Sequence, residues 1–308
     1  MSPTTSKTTR ALEQSTLTPP DAAPIPDTQE QRSSVADKPL VVIEPGKAWA
    51  AFDARDLWAH RELLYFLIWR DVKVRYKQTA LGVAWAVLQP LFMMLVFTIF
   101  FARVAGTAVG DTPYPLFAFT GLVPWTFFAN AVSASSNSLV GNAHLVTKVY
   151  FPRLLVPFAS AGAGLVDFGL SFCLLAVVLL YYRTGLTLNV LALPGLVLLC
   201  TLFALATGTW LAGLNVKYRD VRFVLPFVIQ LWLFVSSVIL PSAAVPPKWR
   251  WLLALNPMSA IIEGFRSSLL GLPFDWTSLG IATAVTILAL LYAVHSFRRV
   301  ERQFADII

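Results

Sequence analysis

The 308-residue sequence predicts an all-α membrane protein: six transmembrane helices, an N-terminal amphipathic interface helix, and re-entrant extracytoplasmic helices between spans five and six. Three observations carry this expectation. Six apolar runs each approach the roughly twenty residues that cross a bilayer. Hydrophobic residues make up 56% of the chain and charged ones 13%, where a soluble domain carries about a quarter charged residues. Basic residues gather at the ends of the apolar runs, the positions that orient a membrane protein. The net charge of +7 is therefore a topology signal, and no nucleic-acid partner is expected.

Taken in order, Met1 to about Lys47 is rich in Ser, Thr, Pro, Gln and charged residues and has scarcely any apolar periodicity. Such a segment cannot bury enough surface to offset chain entropy. Residues 1–53 are expected to be a disordered cytosolic tail, a spacer in preference to a regulatory tail, and residues 54–308 a membrane domain. No hydrophobic core of a secretory signal lies in the tail.

From about Ala54 to Tyr76 the pattern is helical, with Trp58, Tyr65, Ile68, Trp69, Val72 and Tyr76 on one face and Asp56, His60, Arg70, Asp71 and Lys77 roughly opposite. Its apolar centre, Leu63 to Trp69, is too short to span the hydrocarbon, so the helix should lie along the cytosolic interface; a surface helix of a soluble domain is the alternative. Arg70, Lys73, Arg75 and Lys77 precede Gln78, where the charges stop and an apolar run continues to Phe101. A fixed charge in hydrocarbon costs several kcal/mol, so this is where the chain enters the bilayer.

The spans are expected at about Gly82–Arg103, Leu116–Leu139, Leu154–Tyr182, Leu191–Leu214, Phe223–Leu240 and Leu279–Phe297. Between the last two, Pro241 to Leu272 is apolar but broken by Pro246, Pro247 and Pro257, with Pro273 just beyond, and reads as short helices dipping back from the far side. One side collects Arg70, Lys73, Arg75, Lys77, Lys148, Arg153, Lys217, Arg219, Arg222, Arg298, Arg299 and Arg302. The other holds only Arg103, Arg183, Lys248, Arg250 and Arg266. The richer side is the cytosol, and both termini lie there.

Catalytic chemistry finds little support. Gly46-Lys47 lacks the rest of a phosphate-binding loop, no G-x-S-x-G elbow occurs, and His60, His144 and His295 have no ligand partners at metal spacing. Cys173 and Cys200 lie inside apolar runs and read as packing residues. A membrane-embedded glycosyltransferase would need a carboxylate or metal cluster, and Asp111, Glu263 and Asp275 are isolated; Glu263 would pair with Arg266 at helical spacing. Asp167 sits about a dozen residues into the third span, near mid-membrane at 1.5 Å per residue. It reads as a structural carboxylate bonded to polar residues of a neighbouring span, ahead of a transport site.

Two cytosolic loops stand out. His144 to Arg153 is short, basic and aromatic, with a proline that sets the next helix, and it suits docking into a groove on a partner as well as simple topology. Asn215 to Arg222 either anchors to anionic lipid or forms a salt-bridge network around Asp220. Aromatics crowd the first two spans, as interfacial belts or as faces suited to sugar C–H surfaces.

Four stretches, R-D-V-K-V-R-Y-K-Q-T-A-L-G-V-A-W-A-V-L-Q-P (Arg70–Pro90), K-V-Y-F-P-R-L-L-V-P (Lys148–Pro157), N-V-K-Y-R-D-V (Asn215–Val221) and N-P-M-S-A-I-I-E-G-F-R (Asn256–Arg266), together resemble the permease subunits of ABC-2 type polysaccharide exporters. The resemblance implies a six-span permease, homodimeric, completed by two cytosolic ABC ATPase subunits. ATP and Mg would bind those subunits, and no cofactor this chain. It implies a bacterial inner-membrane location and a lipid-linked polysaccharide as substrate, such as O-antigen, capsule or teichoic acid. His144, Lys148, Tyr150, Phe151, Pro152 and Arg153 would couple the permease to the ATPase. Arg70, Asp71, Arg75 and Tyr76 would belong to the interface helix, and Lys217, Tyr218, Arg219 and Asp220 to a cytosolic gate loop. Trp85, Tyr114, Trp125 and Phe128 are candidates to line the glycan passage. A drug or lipid as cargo is the nearest rival, favoured by long extracytoplasmic domains that are not evident here. The chain departs from the family in the fifth span, where Ser236-Ser237-Val238 stands in place of the common Ser-Pro-Val.

Overall fold

The computed structural model describes residues 58–77, 84–105, 112–149, 151–185, 187–242 and 245–301. The expected tail, Tyr150, and the junctions at 78–83 and 106–111 lie outside them. The described residues form helices joined by turns, with no strand among them.

Helix α1 is Arg61–Lys77, α2 Ala84–Ala105, α3 Tyr114–Gly141, α4 Ala143–Lys148 and α5 Leu155–Tyr181. After a 3-10 turn at Leu188–Ala192 come α6 (Leu193–Lys217) and α7 (Val221–Val235). A second 3-10 turn at Pro247–Trp249 leads to α8 (Arg250–Leu255), α9 (Pro257–Leu270) and α10 (Trp276–Glu301). Among the described residues five helices are long and apolar enough to cross a membrane: α2, α3, α5, α6 extended through its preceding turn, and α10.

Helix α3 is the axis of the bundle. It packs against α2, α5, α6 and α9, and most of it is buried, whereas fewer than a third of the positions in each of the other four spans are. Small residues make this possible, because backbones approach closely only where side chains are short. A Cβ on Gly208 of α6 would stand 2.6 Å from Ser135 Cβ of α3. Ser135 Oγ meanwhile donates to Pro157 O of α5 at 2.8 Å, so the same turn of α3 touches both neighbours. Higher in α3, the ring of Phe128 stacks on Phe203 at 5.2 Å and meets Trp232 edge-on at 5.2 Å. A second cluster at the other end joins Leu67 of α1, Val146 of α4, Phe151, Leu155, Val216 and Phe297.

Two expectations change. The expected fifth span, Phe223–Leu240, is helical only to Val235, so α7 is 15 residues and about 22 Å long at 1.5 Å per residue, short of a ~30 Å core. The helix ends because Ser237 takes a positive φ of 50°, a left-handed turn residue that proline, fixed near −65°, could not supply. Nor does α1 show the expected segregated faces. Trp58, Tyr65 and Trp69 point outward, while Leu67 is buried and Arg70, Asp71 and Arg75 are partly buried on the side toward the bundle. Polar partners at Asn142, just past the end of α3, and on α5 account for that.

Candidate functional site

The partners of α1 form two polar knots. In the first, Arg70 holds Asp71 through Nε and Nη2 at 3.0 and 2.8 Å and also donates from Nη2 to Asn142 Oδ1 at 3.0 Å. Ser160 Oγ of α5 donates to the other Asp71 oxygen at 3.3 Å. In the second, Arg75 and the Tyr76 hydroxyl both donate to Asp167. Burial first, and then this bond to the carboxylate, pushes the Tyr76 hydroxyl up to about 12, so it stays a donor at any physiological pH. Asp167 is thus bound by α1, and not, as expected, by polar residues of a neighbouring span. Charged donors make the stronger class of hydrogen bond, and an unpaired carboxylate at this depth would be costly.

The segment from α4 to the start of α5 is anchored from within. Val146 and Phe151 are buried, and Arg153 Nη1 donates to Glu301 O of α10 at 3.0 Å. His144 and Lys148 are exposed, Pro152 half-buried. At the same end of the bundle Lys217, Tyr218, Arg219 and Asp220 are all exposed in the turn between α6 and α7. The salt-bridge network weighed for this turn does not form. Among the described residues the ion pairs are Arg70–Asp71 and Arg75–Asp167, and Lys217 and Arg222 lie instead over the rings of Tyr218 and Phe223.

A groove of about 810 Å³ opens between α2, α3 and α5, with Arg75, Tyr76 and Asp167 at one wall. Trp85, Phe92, Phe127 and Phe168 supply rings, and Gln89, Asn130, Ser133 and Asn137 supply polar groups. Of the four aromatics expected to line a passage, only Trp85 stands on this accessible wall. Tyr114, Trp125 and Phe128 are 6%, 4% and 0% exposed and belong to the interior packing of the chain. Tyr114 also donates to Ile239 O at 3.2 Å.

At the opposite end of the bundle lies the residue whose role the sequence concealed. Arg266 of α9 is 3% exposed and donates to Ser237 O at 2.6 Å, Val238 O at 2.8 Å and Phe117 O at 3.3 Å. Its guanidinium carbon lies 3.6 Å from the centre of the Phe117 ring. The expected Glu263–Arg266 pair does not form, because Glu263 accepts from the Ser242 backbone at 3.0 Å. Asn256 completes the construction. Its Oδ1 caps α9 at Met258 N (3.1 Å) and accepts from Trp232 Nε1 (3.1 Å), and its Nδ2 donates to Val235 O and Ser236 Oγ at 3.2 and 3.0 Å. The Asn-Pro pair before an apolar run was a readable cap signal. Among the described residues no group of three His, Cys, Asp or Glu could hold a metal ion.

Residues 62–270 match the ABC-2 type transporter family. Among curated proteins, the O-antigen export system permease protein RfbA of Myxococcus xanthus is 31% identical over 258 residues, 82% of this chain and 98% of the relative. The RfbA of Klebsiella pneumoniae is 25% identical over 248 residues, 80% of this chain and 95% of its own. The polysialic acid transport protein KpsM of Escherichia coli is 23% identical over 239 residues, 76% and 92% respectively. With the match running from α1 through α9, this multi-pass membrane protein belongs to the ABC-2 type transporter family.

Proposed function

We propose that this chain is the permease subunit of an ABC transporter that exports a lipid-linked cell-surface polysaccharide across the bacterial inner membrane. The observation that carries the reading is the near end-to-end similarity to permeases named for O-antigen and polysialic acid transport. It works as a homodimer, and ATP with Mg is bound and hydrolysed on a separate cytosolic ATPase subunit, no cofactor being held by this chain. Both termini face the cytosol. The fifth of the six spans is α7 continued by the non-helical residues 236–240, the stretch from Pro241 to Leu272 re-enters from the outside, and α1 lies at the cytosolic interface with its exposed aromatics among lipid head groups.

In this reading His144, Lys148 and Tyr150 act toward the ATPase. Phe151 and Arg153 transmit the push, because one sits in the buried cluster that includes Leu67 of α1 and the other is bonded to the end of α10. Lys217 to Asp220 form the cytosolic gate loop. Trp85 with Gln89, Asn130 and Asn137 offers a ring and amide groups to a sliding glycan, a combination suited to sugars, whose C–H faces stack and whose hydroxyls seek amides.

The test replaces His144 and Lys148 by Ala in cells making the polymer. Surface polysaccharide is expected to fall and polymer to accumulate inside, with the permease still in the membrane and ATPase activity of the complex no longer tied to export. Normal surface polysaccharide in a strain deleted for the whole chain would overturn the proposal.

A further inference from the structure

A second groove, of about 700 Å³, runs between α6, α7 and α10, away from the one that holds Trp85. Its walls are apolar: Phe203, Ala206 and Leu211 on one side, Val224, Val228 and Ile229 on the other. The Thr207 hydroxyl in it is satisfied by its own helix, donating to Phe203 O at 2.9 Å. Trp232 closes the inner end, held edge-on to Phe128 and Phe203, with its N–H turned to Asn256. Apart from the Trp210 N–H and the Tyr292 hydroxyl, the wall side chains bring no polar group without a partner, so hydrocarbon finds a better footing here than a glycan.

The mouth is different in kind. Tyr218 and Asp220 line it, in a short turn flanked by Lys217 at the end of α6 and Arg222 at the start of α7 and carrying Arg219; all three cations are exposed, and none forms an ion pair with a described residue. Three cations against one carboxylate favour an anion at that end. From Val221 to Trp232 the slot is ~17 Å deep at 1.5 Å per residue, close to one leaflet of a ~30 Å hydrocarbon core.

We infer that this slot is a lipid site: it takes one acyl chain of an anionic phospholipid, whose head group rests on Lys217, Arg219 and Arg222. The leaflet, though not the slot, rests on the orientation proposed above; with it, the lipid comes from the cytosolic side. A bound lipid there props α7 away from α6 and α10 beside the gate loop, so membrane composition would reach the loop directly.

The full-length protein is placed in phosphatidylcholine nanodiscs with a trace of phosphatidylglycerol carrying a diazirine on its acyl chain, alongside the same-chain phosphatidylcholine probe. Photolabel is expected to concentrate on peptides holding residues 203–211 and 221–232, with phosphatidylglycerol ahead. Lys217→Gln, Arg219→Gln and Arg222→Gln should each lower that preference about fivefold, the worth of one cation near an anionic surface. Ala289→Phe, or the milder Ala289→Leu if the first fails to fold, should reduce labelling by both probes. Even labelling of every lipid-facing helix by both probes would overturn the site. So would cross-linking of Val228→Cys to a second copy of the chain in place of lipid label. The side is read separately: an impermeant maleimide reaching Tyr218→Cys from outside would reverse the orientation while leaving the labelling pattern intact.

Discussion

Replacing Arg266 by Met keeps most of the volume and removes every donor. Phe117 O retains Thr120 Oγ1 at 2.9 Å, but Ser237 O and Val238 O lie in a non-helical turn where Arg266 donates to both. Two buried carbonyls without partners cost ~4 kcal/mol at ~2 each, and the desolvated cation–π contact with Phe117 contributes about 2 more. Against that ~6, a neutral side chain spares folding the desolvation of a buried cation, worth several kcal/mol. The net loss is ~3 kcal/mol, a fall of about 6–12 °C in Tm for a domain of this size. Thermal unfolding of the purified protein in nanodiscs measures it, with Arg266→Lys expected between the two because the three donors of an ammonium diverge from one nitrogen and cannot copy the planar fork whose Nε, Nη1 and Nη2 each reach a different carbonyl. Gly121→Ala attacks the same clamp from the other side, its Cβ falling 2.6 Å from Arg266 Nη2, which the carbonyls prevent from moving aside. Arg266→Met unfolding within ~2 °C of the wild type would refute the clamp.

Asp167→Asn should loosen the end of α1: amide exchange across residues 70–77 is expected to accelerate, and the exchanged pair Arg75→Asp with Asp167→Arg to restore protection in part, since the two charges are its reason for docking. Asp275 caps the final span, accepting from Thr277 N and Ser278 N at 3.1 Å each and from Ser278 Oγ at 2.6 Å, and these bonds hold its carboxyl below the usual carboxylate range. A depressed folded pKa gives stability that is present above the unfolded value and lost as pH falls through the folded one. Asp275→Ala should therefore cost about 1 kcal/mol at neutral pH and flatten the decline in stability below about pH 4, read by melting at pH 7 and at pH 3.

Five long helices were legible because a run of some twenty apolar residues has little else to become. The same uniformity hid their facing: α3 is apolar nearly all round, so no stripe told Phe128, which is interior, from Trp85, which is accessible. Asp167 was visible as a deep carboxylate, but its partners sit 91 and 92 residues away on a helix expected to lie flat. The end of α7 was hidden for another reason. Serine rarely takes positive φ, and here Arg266 holds the carbonyls of Ser237 and Val238 while Asn256 holds Val235 O and Ser236 Oγ on the preceding turn. The motif containing both residues was recognisable; the turn they hold was not.

The unequal fastening of α7 makes it a lever. Its C-terminal end is bolted through Trp232, Val235 and Ser236 to Asn256, with Ser259 adding a bond to Val235 O, while along its length only Leu225 and Leu233 are buried. A rod some 22 Å long, pivoting through ~10° about a fixed far end, sweeps its near end by ~4 Å. That stroke would fall on the turn at Lys217 to Asp220, leaving the Arg266 seal at rest.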